Sequence, residues 1–515
     1  MIILYHLHTK ITEVVNLDNQ KIKFDVLDTI AEGLHKLAAQ FPESKIVWCS
    51  LDCKEQLNLK DIEQLFHHNK MLLSFNPSKH HFFDSHIGYA EQSLFINVNK
   101  KVRYPTWQMS SAVGVVHASL LNEIKDHIKW DANFDYYLSS LAKLCMPLGL
   151  LCYSEPKLLK QIVPIATPIA DIYMLFRFVK QHYKTRWVFL LWLNLMMYER
   201  KFTWLPLLFS LFYKHRNIQT LNLDGITVES TKKVIDRGTL DVIIPTIGRK
   251  KYLYDVLCDL RNQTYLPKNV IVIEQNPQEN SISELDYLTS EKWPFEINHT
   301  FMHQAGVCNA RNIALAKVQS EWVFMADDDN RFESNLLEDI FKKIEQFGNQ
   351  VVTTAYPQKN EYKSYKRVVQ WPTFGAGNSF IRVNLLDNVK FNMALEFGYG
   401  EDGDFGMQLR NKGIDVLYLP EPEILHLKAP IGGFRTKPVL LWSNDEIQPK
   451  PSPTVMLYNL LHNTKEQLMG YKTTLFIKYY KRQKIKNPIQ YYLMFQKQWK
   501  RSLFWANELK GKAIT

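Results

Sequence analysis

The tightest constraint lies at residues 321–329, where the apolar run EWVFMA stops on Asp327, Asp328 and Asp329. A run this short and apolar is expected to be a strand buried on both faces. Three adjacent carboxylates repel one another unless a cation or solvent neutralises them. Two further runs precede it. Residues 241–247, DVIIPTI, end at Gly248-Arg249, and 269–274, NVIVIE, end at a polar turn. Helical spacing follows the first run through Tyr254, Leu257 and Leu260, and a helix is expected at 306–318. Strands alternating with helices predict an α/β unit with a parallel sheet, its ligands collecting at the strands' carboxyl ends. Oxygen ligands at such an end suit Mg²⁺ or Mn²⁺, which also binds diphosphate. A solvated acidic turn is the other reading of the aspartates taken alone.

At 515 residues the chain exceeds one ordinary domain, and length alone suggests about two to four. With 46% hydrophobic and 22% charged residues, long disorder is not expected. The net charge of +11 suits nucleic acid, an anionic membrane or phosphate-bearing ligands. Six cysteines stand in scattered apolar contexts. Cys49 and Cys53 have ligand-like spacing, but no second pair completes a zinc site, so all six are read as reduced thiols. The start, MIILYHLHTK, lacks the features of a signal peptide and reads as a first strand. Residues 187–213 are the most apolar stretch. Glu199, Arg200 and Lys201 split it into runs short of the ~18–20 residues a spanning helix needs, so it lies in a membrane interface or packs on protein.

Short matches recur in one order at nearly constant offset: Ser44–Trp48 with Ser320–Phe324, 60–62 with 338–340, Tyr104-Pro105-Thr106-Trp107 with Trp371-Pro372-Thr373-Phe374, and 155–159 with 421–425. They predict a degenerate duplication. In that alignment the three aspartates face Leu51, Asp52 and Cys53, Glu401 and Asp402 fall near Asp135 and Tyr136, and His426 faces Lys160. The expected organisation is a truncated, non-catalytic first copy at 1–160, a helical apolar linker at 161–235, a catalytic copy at 236–445 and a basic, aromatic helical tail at 446–515.

Glu401-Asp402 sits in GYGEDGDFGMQLRNKG, where tight turns lead into a helix. Carboxylates there serve as helix caps or, exposed beside a substrate hydroxyl, as a general base. His426 follows an apolar strand and precedes Lys428, Gly432-Gly433 and Arg435, a cationic set suited to a diphosphate. From 465 to 512 the tail carries twelve Lys or Arg against Glu466 and Glu508, with interleaved aromatics. That pattern suits an anionic membrane surface or plain packing on the core. Single-stranded nucleic acid is a weaker fit, because nothing else in the chain reads it.

DVIIPTIGR, VIVIE, ARNIALAKVQSEWVFMADDD, GEDGDFGMQLRNKG and then His426 resemble, in this order, the family 2 glycosyltransferases of the GT-A fold across residues 238–430. The GYGED…R…G and His426 part also resembles the galactosyltransferase-type half of bacterial chondroitin-synthase-like enzymes. The resemblance implies a catalytic GT-A domain preceded by a degenerate GT-A-like one. Pro245, Thr246 and Arg249 would border the nucleotide, with Asp328, Lys428 and Arg435 also on the donor. Glu274 would contact the base, although many members have Asp there. Arg311 would lie near the diphosphate or the aspartates, and Asp327 would face the ribose. Asp329 and His426 would bind the metal, Asp402 would be the base, and Glu401 would touch the acceptor. The expected activity is inverting transfer from a nucleotide-diphosphate sugar, with uridine as the family's usual base, to a glycan or lipid-linked hydroxyl. The expected setting is bacterial surface polysaccharide or glycoconjugate synthesis. The protein would be cytoplasmic, and peripheral at the inner face of the membrane. A non-catalytic sugar-nucleotide-binding scaffold is the alternative; a glycoside hydrolase is disfavoured by the nucleotide-type strand order and the aspartate cluster.

Overall fold

The computed structural model describes residues 1–24, 29–218, 220–363, 365–430 and 439–512. The chain divides into two compact units. One comprises 1–232 with 463–481, and the other 233–462 with 482–515. The boundaries expected at 160 and 445 are therefore corrected. Residues 161–235 do not form a linker, because Phe176, Phe178, Val179, Val188, Leu191 and Leu195 are buried in the same core as Trp48 and Trp107. The tail is divided too. Helix Lys465–Tyr480 belongs to the first unit and helix Pro488–Lys512 to the second.

The first unit is built on strands β1 (Ile2–Leu7), β2 (Lys10–Asn16), β3 (Lys45–Ser50), β4 (Met71–Phe75), β5 (Tyr104–Pro105), β6 (Val113–His117) and β7 (Leu151–Ser154). They lie in the order β2-β1-β3-β6-β4-β7-β5. The second unit holds β8 (Leu240–Ile247), β9 (Asn269–Gln275), β10 (Glu296–Met302), β11 (Trp322–Ala326), β12 (Asn330–Arg331), β13 (Val351–Ala355), β14 (Val369–Gln370), β15 (Asn378–Arg382), β16 (Leu417–Glu423) and β17 (Leu425–His426). Eight of them form the sheet β10-β9-β8-β11-β15-β13-β16-β14, and β12 pairs with β17. The mixed α/β architecture is thus present. The central strands β8, β9 and β11 are apolar runs buried on both faces, as parallel strands under helices must be.

Six strands of each unit share one connectivity. β1-β3-β6-β4-β7-β5 matches β8-β11-β15-β13-β16-β14 in order, and each neighbouring pair has the same parallel or antiparallel sense. The ladders correct the residue correspondences expected from sequence. Ile46 lies between Ile2 and Val116 as Val323 lies between Asp241 and Ile381, so Ser50, Leu51 and Asp52 stand at the places of Asp327, Asp328 and Asp329. Tyr104 and Pro105 correspond to Val369 and Gln370, two residues from the motif match. Asp135, not Tyr136, matches Asp402: its carboxylate accepts the Ser111 N–H at 2.8 Å as Asp402 accepts that of Ala376 at 3.3 Å. The bridge Leu57–Leu159 repeats Asn330–His426, so a leucine and not Lys160 takes the imidazole position. The turns changed length while the ladders held their register, and local motif matching cannot see that.

Among the described residues the first unit has no counterparts of β9 and β10. The antiparallel strand β2 closes that edge instead. All six cysteines are free thiols, and all but the half-buried Cys258 are buried.

Candidate active site

The sheet of the second unit brings three kinds of strand end together. The parallel strands β8 and β11 deliver Thr246 and the aspartates at their carboxyl ends. β15 runs antiparallel to β11 and pairs Asn378 with Ala326, so the turn Gly375–Asn378 arrives beside them. β12 and β17 pair Asn330 with His426, and the Leu427 N–H donates to the Asp329 carbonyl at 3.0 Å. These ends surround a cleft of ≈ 820 Å³. Pro245, Thr246, Arg249, Arg311, all three aspartates, Glu401, Asp402, His426 and Lys428 line it.

Each aspartate has a separate setting. Asp327 accepts from Arg311 Nη2 at 3.0 Å and from the Tyr356 hydroxyl at 3.2 Å. Asp328 is buried and receives Thr246 Oγ1 at 2.6 Å and Arg249 Nη1 at 2.5 Å. Burial pushes its carboxyl up to about 6 against the pull of Arg249. Asp329 is also buried, which alone would raise it. The facing His426 imidazole, the hydrogen bond from the Ala429 N–H and the nearby Arg249 together outweigh that and hold it below the usual range. Asp329 therefore ionises at lower pH than Asp328.

Helix Glu401–Asn411 begins at Gly400, which has no side chain to cap it. Asp402 is turned instead onto the Ala376 N–H at 3.3 Å, and its other oxygen faces Arg311 Nη1 at 3.7 Å. The side chain as a whole keeps 40% of its surface accessible, while Oδ1 itself is buried with no hydrogen-bond partner among the described residues. Burial, opposed by Arg311, raises Asp402 above the ordinary carboxylate range. Burial and the neighbouring Asp402 charge push Glu401 up to about 7. The buried Arg311 thus lies between the aspartate cluster and the helix carboxylates.

One expected site residue does not join this set. Glu274 is absent from the cleft lining. Its carboxylate pairs with His299 Nε2 at 2.9 Å across β9 and β10 and accepts the Glu284 N–H at 3.4 Å. The next residue, Gln275, lines the cleft in its place. Strand alternation explains the exchange, since neighbouring side chains point to opposite faces. Arg435 and Gly432-Gly433 lie outside the described residues.

Several lining residues gave no usable sequence signal. The Tyr356 ring stacks on His426, centroids 4.4 Å apart, and its hydroxyl also bonds Asn330. Burial and the nearby aspartates keep it protonated, so it is a fixed donor. Glu396 accepts the backbone N–H groups of Cys308 at 3.1 Å and Asn309 at 2.9 Å. It thereby occupies the positive end of helix Val307–Leu315. Phe397 and Tyr399 present partly exposed rings beside Glu401.

Gly377 is required by contact. A Cβ there would overlap the Asp327 carboxylate. Gly377→Ala must push Asp327 away from Arg311 and Tyr356, and is expected to cost about 1–3 kcal/mol. Thermal unfolding measures this; an unchanged melting temperature would show that Asp327 moves freely.

Whether a divalent cation suits this cleft turns on charge and spacing. Among the described residues the lining holds six carboxylates against Arg249, Arg311 and Lys428, an acidic balance that would repel a diphosphate. An Asp329 oxygen and His426 Nε2 lie 3.5 Å apart. That is too long for a good hydrogen bond and close to the spacing of adjacent ligands on one small ion, about 3.0–3.5 Å. No group of three or more His, Cys, Asp or Glu side chains is placed to hold a metal among the described residues. The protein therefore offers two donors, and the remainder would come from ligand or water, as is usual for such ions at phosphate sites.

The family model for Glycosyl transferase family 2 matches residues 241–400. The glycosyltransferase GlyG of Streptococcus pneumoniae serotype 4 is 20% identical over 122 residues, 24% of this chain and 40% of that protein. An uncharacterized glycosyltransferase of Rickettsia bellii is 24% identical over 152 residues, 30% of this chain and 21% of its own. The chain thus spans less than half the length of either relative. Among solved structures, S. aureus TarS 1-349 in complex with UDP-GlcNAc aligns at 17% identity over 45% of this chain and 70% of its own, with a TM-score of 0.33. S. aureus TarS aligns at 17% identity over 45% of this chain and 42% of its own, with a TM-score of 0.32.

Proposed function

Because residues 241–400 carry a glycosyl transferase family 2 domain, we propose that the second unit transfers a sugar from a nucleotide-diphosphate donor to an acceptor hydroxyl with inversion. The observation that carries this reading is the pair of acidic sets joined by Arg311. Asp327–Asp329 lie on one side of it and Asp402 on the other. Pro245, Thr246 and Arg249 border the nucleotide, and UDP is the first donor to try. Asp329 and His426 would hold Mn²⁺ or Mg²⁺, which when bound supplies positive charge to the leaving diphosphate. Lys428 adds an exposed ammonium from the protein itself. Asp402 takes the proton from the acceptor hydroxyl, which attacks the anomeric carbon opposite the departing diphosphate. Arg311 keeps Asp402 anionic and aimed, and Tyr356 fixes Asp327.

The acceptor is read as a glycan or lipid-linked sugar, because Phe397 and Tyr399 offer ring faces beside the base and aromatic faces suit the C–H side of a sugar ring. The first unit is read as a degenerate, non-catalytic copy of the same half-domain. It keeps Asp135 at the base position and Asp52 at the place of Asp329, but Ser50, Leu51, Phe134 and Leu159 replace the other acidic groups and the imidazole.

With Mn²⁺ present, one of UDP-, GDP- or TDP-sugars is expected to raise the melting temperature of the full chain and to be slowly hydrolysed. Chelation should remove both effects. If none of the three donors shifts the transition or is turned over, the transferase reading fails and a scaffold role takes its place.

A further inference from the structure

A surface helix normally turns polar residues to solvent. Helix Trp204–Leu211 of the first unit does the reverse. Pro206, Leu207 and Ser210 are buried, while Trp204, Leu205, Leu208, Phe209 and Leu211 are exposed. Leu205 is 60% exposed, and the flanking Phe202 and Phe212 are 73% and 86% exposed. The surface continues onto two neighbouring helices. The Tyr173 ring, on Ile172–His182, lies 5.9 Å from that of Phe209, and the Trp192 ring, on Arg186–Glu199, lies 4.3 Å from that of Trp204. Phe189 and Met197 on the latter helix are exposed as well. Isolated exposed apolar residues are ordinary, but a connected set on three helices marks a binding surface.

Charge indicates what it binds. Residues 172–223 contain eight Lys or Arg and a single acid, Glu199. Glu199 is already engaged by His86, Lys201 and Tyr89, so it leaves little free negative charge. Arg177 and Arg216 turn inward to Asp131. Lys184, Arg186, Arg200, Lys201 and Lys214 remain exposed around the apolar positions in the chain. Apolar and aromatic side chains rimmed by cations complement an anionic lipid surface. No helix among the described residues is long and apolar enough to cross a membrane, so contact here would be interfacial.

The basic tail is a poorer candidate. Helix Pro488–Lys512 buries Tyr491, Phe495 and Trp499 within the second unit, so much of its aromatic face is already used. We propose that residues 202–213, with the exposed faces of helices Ile172–His182 and Arg186–Glu199, seat the first unit on an anionic bilayer.

The test is flotation of the full chain with phosphatidylcholine vesicles, with and without phosphatidylglycerol. Binding is expected with phosphatidylglycerol and should weaken with salt. The triple variant Leu205→Ser, Leu208→Ser, Phe212→Ser should lower the bound fraction about tenfold or more, while thermal unfolding and donor turnover stay as in the wild type. The pair Lys184→Glu, Lys214→Glu should abolish the preference for phosphatidylglycerol. Wild-type protein that stays unbound, or a triple variant that floats equally well, overturns the proposal. So does a dimer in ultracentrifugation that the triple variant dissolves without any vesicle binding, which would assign the surface to a second copy.

Discussion

Asp402→Asn is expected to lower transfer by about 10²–10⁴-fold while leaving donor binding nearly intact. The amide keeps an oxygen for the Ala376 N–H and the same shape beside Arg311, so the helix and the turn Gly375–Asn378 should hold. Only the ability to take a proton is lost. The same group sets the acid limb of the rate profile. Burial, against the pull of Arg311, raises Asp402 above an exposed aspartate. A base works ionised, so turnover should fall as pH drops through that raised value, above the ordinary aspartate value of about 3.9. Donor titration beside steady-state kinetics separates binding from chemistry. Near wild-type turnover in the amide variant would show that another group takes the proton.

Arg311→Met is expected to cost about 1–3 kcal/mol of stability and nearly all activity. Removing one partner from a buried ion pair typically costs about 3–5 kcal/mol. The lower figure applies because Asp327 keeps 26% of its side-chain surface accessible, so solvent screens part of the loss. The pH dependence identifies the cause. Without the guanidinium Asp402, already raised by burial, binds its proton still more tightly in the folded state than in the unfolded chain. Such groups favour folding below their folded values and oppose it above. The deficit should therefore be largest at neutral pH and shrink on mild acidification. Urea unfolding of both proteins at two pH values measures it. A deficit that ignores pH would point to lost packing against Phe391, whose ring centroid lies 5.3 Å from the Arg311 Cζ.

The parts legible in the sequence were those governed by local periodicity. β8, β9 and β11 were visible as short apolar runs, and the carboxyl end of β11 named the three aspartates, while Thr246 came from the family resemblance. Glu401-Asp402 stood out at the head of a helix marked by glycines. Glu274 was misplaced because a single residue of register exchanges the face a strand side chain uses, and Gln275 holds the position expected of it. Tyr356 was unreadable because its role depends on β13 ending beside β17, in a different part of the chain.

The amino-acid sequence by itself determined the parallel strands, the acidic strand end and the existence of a second, altered copy of the pattern, because hydrophobic period and residue type are properties of neighbours along the chain. The tertiary structure alone decided that Arg311 links the aspartates to Asp402 and that Asp135, with no glutamate before it, stands at the base position of the first unit. It also decided that Phe176, Phe178, Val188 and Leu191 belong to that unit's core while Phe202, Leu205, Leu208 and Phe212 face outward. Those outcomes depend on which strand ends meet and which helix faces find a partner, and both are settled by packing between residues far apart in sequence.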